Sequence, residues 1–437
     1  MEKLAILGGT PAIVNPPIKK LFNWPIITQE DENAALDVIR NNSFSGIDIT
    51  KKFQDEFAEW IGTKHAVAYC NGTMALAATM FAIGLGKGDE IICPTKTYWA
   101  SILQATSFGA SAVFCNIDET LCIDPDDIER CISPATKAIM VVHYSSCPCD
   151  MDRIMAIAKK HNLYVIEDVS HAQGGFYKGR RLGTIGDIAG MSLMSQKSFS
   201  AGELGIVVTN NRRLYERSIA YGHYERNNEE NIIESDELKP YFHMSLGAVK
   251  GRANQLCTAI ARVQLKYYDE RCAEVRRAMN YFCDLIENIP GINPIRVDES
   301  TGSNMAGWYA GKCIYKPEFF HGLPVEKFAE ALNAEGVDTY ANGNYCLHTH
   351  EYFRSFDLFS DGAPTRIAYN NRDVRELDKL CRPSEQIFSI GLPLFRSFDK
   401  EWIEKYATAF RKVAENHQQL LSAENNKNAE GQWYGKV

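Results

Sequence analysis

The 437-residue sequence contains no apolar run long enough to span a bilayer, which excludes a membrane-spanning helix. It has no basic cluster. Lysine and arginine number 47 against 55 acidic residues, a net charge of -8, so nothing in the charge pattern supports nucleic-acid binding. No P-loop is present. Gly84-Leu85-Gly86-Lys87-Gly88 follows a helical pattern instead of a strand, so a nicotinamide dehydrogenase lacks its glycine fingerprint. The 13 cysteines are odd in number and scattered, with Cys70, Cys93 and Cys115 in apolar surroundings. They predict buried free thiols in a reducing cytosol, not a disulfide framework. The first residues, Met1 to Gly9, have no signal-peptide layout, and the predicted location is cytoplasmic. His143, Cys147 and Cys149 form an incomplete set for zinc, as do His348 and His350, and no metal is expected. There is no internal repeat and no low-complexity tract.

The composition that remains, 45% hydrophobic, 11% aromatic and 23% charged, is that of a globular chain with length for two domains. Residues 1–50 read as an irregular arm containing Pro11, Pro16, Pro17 and Pro25, with one helix from Gln29 to Arg40 capped by Thr28. A helix from Lys51 to Ile61 places Phe53, Phe57 and Trp60 on one face, a core-packing pattern. Strands then alternate with helices. Strands are predicted at His65–Cys70, Glu90–Pro94, Ala112–Ile117, Ala138–His143, Leu163–Ile166 and Gly205–Thr209. Helices are predicted at Met74–Leu85, Trp99–Phe108, Asp126–Cys131 and Met151–His161. This alternation predicts an α/β fold with a mostly parallel sheet covered on both sides. Arg226 to Met244 is polar and reads as an exposed, mobile loop. A long helix from Asn254 to Ile289 leads into a smaller α+β unit. That unit has a strand near Trp308–Tyr315, a helix opened by Pro324 and closed by Gly336, an Ile390-Gly391-Leu392-Pro393 segment, a helix from Lys400 to Asn416 and a frayed polar tail. The expected division is residues 1–270 as the larger domain and 271–437 as the smaller.

Several residues could carry chemistry. Asp168 directly follows a short apolar strand, the edge at which open α/β sheets hold ligands. Lys197 stands among small and apolar residues, where desolvation favours the neutral, nucleophilic amine. Such a pair suits pyridoxal phosphate, with Lys forming the Schiff base and Asp protonating the ring nitrogen. Asn71-Gly72-Thr73 opens a helix after a strand and could bind phosphate, though such turns are more often simple caps. Tyr98 follows the next strand and could stack on a flat ring or pack in the core. His171 could bond a ring hydroxyl or be a structural histidine.

Together these residues resemble the DegT/StrS-type sugar aminotransferases over nearly the whole chain. Asn71 to Leu76 is similar to their phosphate-binding turn. Gly88 to Tyr98 is similar to the segment with the stacking aromatic, and Glu167 to Gly174 to the segment with the ring-nitrogen Asp. His171 matches the position that contacts the ring hydroxyl, and Ser192 lies five residues before Lys197, as the family's phosphate-binding Ser does. The arm, with Leu4 to Pro11 and Trp24-Pro25, resembles the branch of cyclitol aminotransferases and 3-amino-5-hydroxybenzoate synthases. The resemblance implies pyridoxal phosphate fold type I, a seven-stranded sheet, a homodimer with sites at the subunit interface, and an amino donor, glutamate or glutamine. It also implies a keto-sugar or keto-cyclitol acceptor and the site residues Gly72, Thr73, Tyr98, Asp168, His171, Ser192 and Lys197. Three departures stand out. Leu204 replaces a glycine after the lysine, Lys250 replaces an asparagine lent to the neighbouring subunit's phosphate, and Tyr144-Ser145-Ser146-Cys147-Pro148 replaces a glycine-containing segment. Leu204 is expected to reshape the loop around the Schiff base. The alternatives are a dehydratase of the same fold, in which His replaces the Lys, and a non-catalytic cofactor-binding regulator.

Overall fold

The computed structural model describes residues 2–355 and 375–421. The last polar residues lie outside that range. The early helices form where their signals stand. After α1 (Ile18–Phe22), α2 spans Gln29–Arg40 and starts at a capping box. There the Thr28 N–H donates to Asp31 Oδ2 at 2.8 Å. Helix α3 (Asp48–Ile61) begins three residues before the expected start. It buries Phe53 and Phe57 completely, and Trp60 packs against Phe57.

Strands β1 (His65–Tyr69), β2 (Glu90–Pro94), β3 (Ser111–Cys115), β4 (Thr136–Val142) and β5 (Tyr164–Asp168) alternate with α4 (Gly72–Ala82), α5 (Leu103–Ser107), α6 (Pro125–Cys131) and α7 (Met151–His161). A two-residue hairpin, β6 (Phe176–Tyr177) with β7 (Arg180–Arg181), precedes β8 (Ile188–Ser192) and β9 (Gly205–Thr209). The large sheet runs β1-β9-β8-β5-β4-β2-β3. Its β2, β3, β4, β5 and β8 pair in parallel, while β9 runs against both β1 and β8. Strands such as β2, β3 and β9 are buried along their whole length, as two covered faces require. The expected α/β fold with a mostly parallel seven-stranded sheet is therefore what forms.

Four features depart from the sequence pattern. Strand β8 was not foreseen: Ile-Ala-Gly-Met-Ser carries little strand preference. Its Gly190 faces α4, where a Cβ would stand 3.1 Å from Leu76 Cδ2. Helix α8 (Arg212–Ala220) was also missed, although Asn211 Oδ1 caps it by accepting the Leu214 N–H. The single helix expected from Trp99 to Phe108 is a 3-10 turn and the short α5, separated by Ile102 at φ -138°. The 226–244 segment is pinned at several points. The Glu216 carboxylate, fully buried on α8, accepts the N–H groups of Ile233, Glu234 and Ser235. Asn227 ties the far end by donating to the Tyr241 and Met244 carbonyls. Ile233, Tyr241 and Met244 nevertheless point outward, each at least half exposed.

The 32-residue α9 (Gln255–Ile286) packs against α2 and α3 and, further along, against the helix Lys400–Glu415 and β10 (Ile292–Pro294). Strand β11 (Lys312–Tyr315) joins β10 and β12 (Phe388–Gly391) in an antiparallel sheet. Helix α10 (Val325–Ala334) buries Val325, Phe328 and Leu332, and Gly336 follows it at φ +95°. The amino-terminal arm lies against this part of the chain. The buried Glu335 carboxylate accepts the Ala5 and Ala12 N–H groups and the Lys412 amine.

At the end of β5 the alternation of a strand sends neighbouring acids to different surroundings. Glu167 is fully buried and accepts N–H groups from Gly183, Ile185 and Gly186 and a bond from His143 Nε2 at 3.0 Å. Burial pushes its pKa up, yet the His143 and backbone bonds prevail and hold it below the usual carboxylate range. Glu167→Gln leaves at least two of these donors facing an amide. It is expected to lower unfolding free energy by about 3 kcal/mol, read from urea denaturation.

Candidate active site

All the candidate residues gather at the carboxyl edge of the parallel strands. Asn71 and Gly72 follow β1, Tyr98 follows β2, Tyr144 to Ser146 follow β4, Asp168 ends β5 and Ser192 ends β8. This is the edge at which such sheets bind ligands.

The start of α4 is pressed onto β8 and β9. A Cβ on Gly72 would sit 2.4 Å from Ser192 Cβ, and one on Gly205 would sit 2.1 Å from the Asn71 carbonyl oxygen. Only glycine fits at either place, and the consequence is that the Gly72-Thr73 helix start touches Ser192. Asn71 Oδ1 accepts the Met74 N–H at 2.9 Å, so the cap occupies a later amide and leaves the first turn facing outward. Helix starts of this kind favour phosphate.

Asp168 is buried and hydrogen-bonded through both oxygens: Oδ1 accepts the Ser170 N–H at 3.0 Å and Oδ2 the Ser101 hydroxyl at 2.8 Å. A carboxylate can accept about four hydrogen bonds, so capacity remains for another donor. His171 is buried, and its Nδ1 accepts the Ser145 N–H at 3.3 Å. That contact assigns the ring proton to Nε2. Burial, reinforced by the charges of Lys197 and Lys312, pushes the His171 pKa well below its usual value, so the ring is a neutral Nε2–H donor.

Lys197 follows β8 in a tight turn, its N–H bonded to the Met194 carbonyl at 2.8 Å. Its amine is buried and lies 4.1 Å from the centre of the Tyr309 ring. Desolvation lowers the amine pKa to about 8, against the opposing pull of Asp168. Tyr309 also packs on His171, at 4.6 Å, and His171 on Tyr144, at 5.1 Å. Tyr98 is half-buried at the same edge, tilted against Trp99.

One expectation changes. Leu204 does not reshape the lysine loop: its side chain is fully buried in the core and its carbonyl accepts the Leu193 N–H at 2.8 Å. The tight position is Gly205. Lys250 is exposed beside Tyr224. His143, weighed for metal, has both ring nitrogens engaged by Glu167 and by the Cys149 N–H. His348 is likewise bonded to Thr95 and Glu385.

Residues with no site role expected of them also meet here. The Trp24 indole N–H lies 3.1 Å from the carbonyls of both Lys197 and Ser198, and Arg396 covers the Trp24 ring at 4.7 Å. Tyr309, Tyr144 and Asn344 come from distant segments, with the Tyr144 hydroxyl donating to Asn344 Oδ1 at 2.7 Å. Ser145 and Ser146 adopt positive φ, 52° and 71°, the left-handed region that favours glycine.

A nucleophilic lysine, a buried carboxylate and a phosphate-suited helix start on this sheet define a pyridoxal-phosphate-dependent aminotransferase of fold type I. The chain belongs to the DegT/DnrJ/EryC1/StrS aminotransferase family, whose model matches residues 25–364. It is similar to an L-glutamine:2-deoxy-scyllo-inosose aminotransferase of Streptoalloteichus tenebrarius, 29% identical over 86% of this chain and 87% of that one. It is also similar to a GDP-perosamine synthase of Escherichia coli O157:H7, 37% identical over 53% of this chain and 61% of the relative. Among solved structures, an aminotransferase from Psychrobacter cryohalolentis superposes with a TM-score of 0.75 and 27% identity, covering 91% of this chain and all of the other.

The residues present fit the cofactor. Gly72 lets the α4 start abut Ser192 with no side chain between them, Asp168 has unused acceptor capacity, His171 offers a neutral donor, and the Lys197 amine lies over the Tyr309 ring with no hydrogen-bond partner among the described residues.

The Trp24 contact yields a prediction. Trp24→Phe removes the indole N–H and keeps an aromatic ring. Unfolding free energy is expected to fall by about 1 kcal/mol, and kcat to fall while cofactor occupancy, read by absorbance, stays unchanged.

Proposed function

We propose that the protein moves an amino group from L-glutamate or L-glutamine to a keto-sugar or keto-cyclitol. The observation that carries this reading is the placement of Lys197 and Asp168 at neighbouring strand ends within the fold of an aminotransferase family. Relatives whose names specify glutamine with a keto-cyclitol, or a nucleotide-linked amino sugar, support the acceptor class.

Gly72, Thr73 and Ser192 would hold the cofactor phosphate, Tyr98 would cover the ring, and His171 Nε2–H would donate to the ring hydroxyl. Asp168 would keep the ring nitrogen protonated, and Lys197 Nζ would anchor the cofactor. When bound, pyridoxal phosphate supplies the electron sink for the carbon that loses its proton. Lys197 then takes a proton at that carbon and returns it, a task suited to an amine lowered to about 8. Tyr309 covers one side of this amine and limits water there, while Tyr144 packs behind His171.

We further propose a cytoplasmic homodimer of two-domain subunits, divided at residues 270 and 271 within α9. The outward Tyr224, Ile233, Tyr241 and Met244 support a subunit contact along residues 224–244. Among the described residues no helix is long and apolar enough to cross a membrane. The dehydratase alternative requires a histidine where Lys197 stands.

The test is an absorbance spectrum of the purified protein before and after L-glutamate or L-glutamine. A yellow band that bleaches with a donor is the expected result, and a protein that stays colourless with added cofactor sinks the proposal. Lys197→Ala should abolish turnover, and Asp168→Ala should reduce kcat about a hundredfold or more. Cofactor capture by the stripped protein should speed up as pH rises and level off above about 8. Below that pH Lys197 is an ammonium ion without a lone pair, and above it the neutral amine attacks.

A further inference from the structure

Two buried lysines remain outside the chemistry described so far. Lys312, on β11, is 1% exposed, and Lys96, after β2, is 5% exposed. Neither forms an ion pair with any described carboxylate. Each donates one hydrogen bond to a main-chain carbonyl, Lys312 Nζ to Asn342 at 2.6 Å and Lys96 Nζ to Ile387 at 3.0 Å. The two acceptors belong to one corner of the fold. The Asn342 N–H donates to the Ser389 carbonyl, and Lys96 bridges Cys346 through its backbone.

This corner adjoins the reacting amine. A Cβ on Gly343 would stand 3.1 Å from Lys312 Nζ and 3.2 Å from the Tyr144 hydroxyl. Tyr144 packs on His171, His171 on Tyr309, and Tyr309 under Lys197. Lys312 and Lys197 are both near enough to His171 for their charges to act on its ring. Ser145 Oγ, fully buried in the turn that follows Tyr144, has no hydrogen-bond partner among the described residues. Two amines buried without a counter-charge are costly, and the cost is relieved when an anion enters. Desolvation lowers Lys312 to about 7 and Lys96 to about 8, and Lys312 adds to the lowering of Lys96. An arriving carboxylate would draw both back to the charged form.

We propose that Lys312 and Lys96 form a carboxylate-binding subsite of the substrate pocket, beyond Tyr144 and His171 from Lys197. The inference rests on the aminotransferase reading and adds that one substrate carries a carboxylate remote from the reacting carbon. A carboxylate fits better than a diphosphate. Each amine has already committed one N–H to the main chain, and the charges acting on either lysine include no arginine of the described residues. The carboxylate could be the donor's side chain or a group on the acceptor ring, and the chemistry is the same for both.

The experiment uses the holoenzyme with glutarate, a dicarboxylate that cannot react, and measures binding by calorimetry. Lys312→Gln and Lys96→Gln keep an N–H donor for the main chain and remove the charge. Wild type is expected to bind glutarate, and each variant at least tenfold more weakly, with cofactor absorbance and Tm confirming that it folds. Single-turnover absorbance then separates the sources. A higher requirement for L-glutamate, with L-glutamine unchanged, in the Lys312→Gln enzyme assigns the subsite to the donor. Unchanged donors with selective loss of 4-oxocyclohexanecarboxylate over 4-hydroxycyclohexanone assign it to the acceptor. Wild type that bleaches with a donor but ignores glutarate overturns the subsite and leaves the aminotransferase intact. Equal glutarate binding by folded variants also overturns it, as does charge-dependent binding of UDP in place of glutarate. A protein that responds to neither donor is instead a failure of the aminotransferase reading.

Discussion

At residues 72 and 205 the main chain of α4 lies so close to β8 and β9 that a single added methyl group would collide with the Ser192 side chain or the Asn71 carbonyl. This contact sets the geometry of the whole edge. It fixes the first turn of α4 against Ser192, and the turn leading to Lys197 begins directly after that residue. Backbone proximity is therefore what converts three separate strand ends into one site. Position 204 tolerates leucine because its side chain turns into the core, whereas its neighbour at 205 has no space for any side chain.

Adjacent acids at the end of β5 show how burial can serve opposite purposes. Glu167 is saturated by three backbone N–H groups and His143 and functions as an internal brace. Asp168 receives only two hydrogen bonds and keeps acceptor capacity. The same contrast separates the lysines. Lys412 is neutralised by Glu335, whereas Lys197, Lys312 and Lys96 have no acidic partner within ion-pair distance among the described residues. A buried charge with a full set of partners holds the fold, and one without them is available to a ligand.

Most of the large sheet was legible because its strands are continuous apolar runs between clear turn and cap residues. Asp168, Lys197 and the Asn71-Gly72-Thr73 turn were legible because strand ends and helix starts can be located from the pattern alone. Strand β8 was hidden by Ala189 and Gly190, residues of weak strand preference, the second of which faces the α4 helix. Helix α8 was hidden by its run of arginines, although Asn211 marks its start. Tyr309, Tyr144, Trp24 and Lys312 could not be assigned because their relevance depends on contacts between segments far apart. A lysine in the otherwise apolar run Cys313-Ile314-Tyr315 was the one local signal that β11 borders something polar.

The arm at the start of the chain is tied to its last described helices. The Leu4 N–H bonds Gln419 Oε1 across 415 residues, and Lys412 donates to the Thr10 carbonyl. Trp24 meanwhile holds the Lys197 carbonyl. These contacts join segments far apart in the sequence, so the arm can settle only after the segments it meets have folded. The turn that carries Lys197 acquires its final support only then, so the large sheet can be assembled well before the edge that does the chemistry is set.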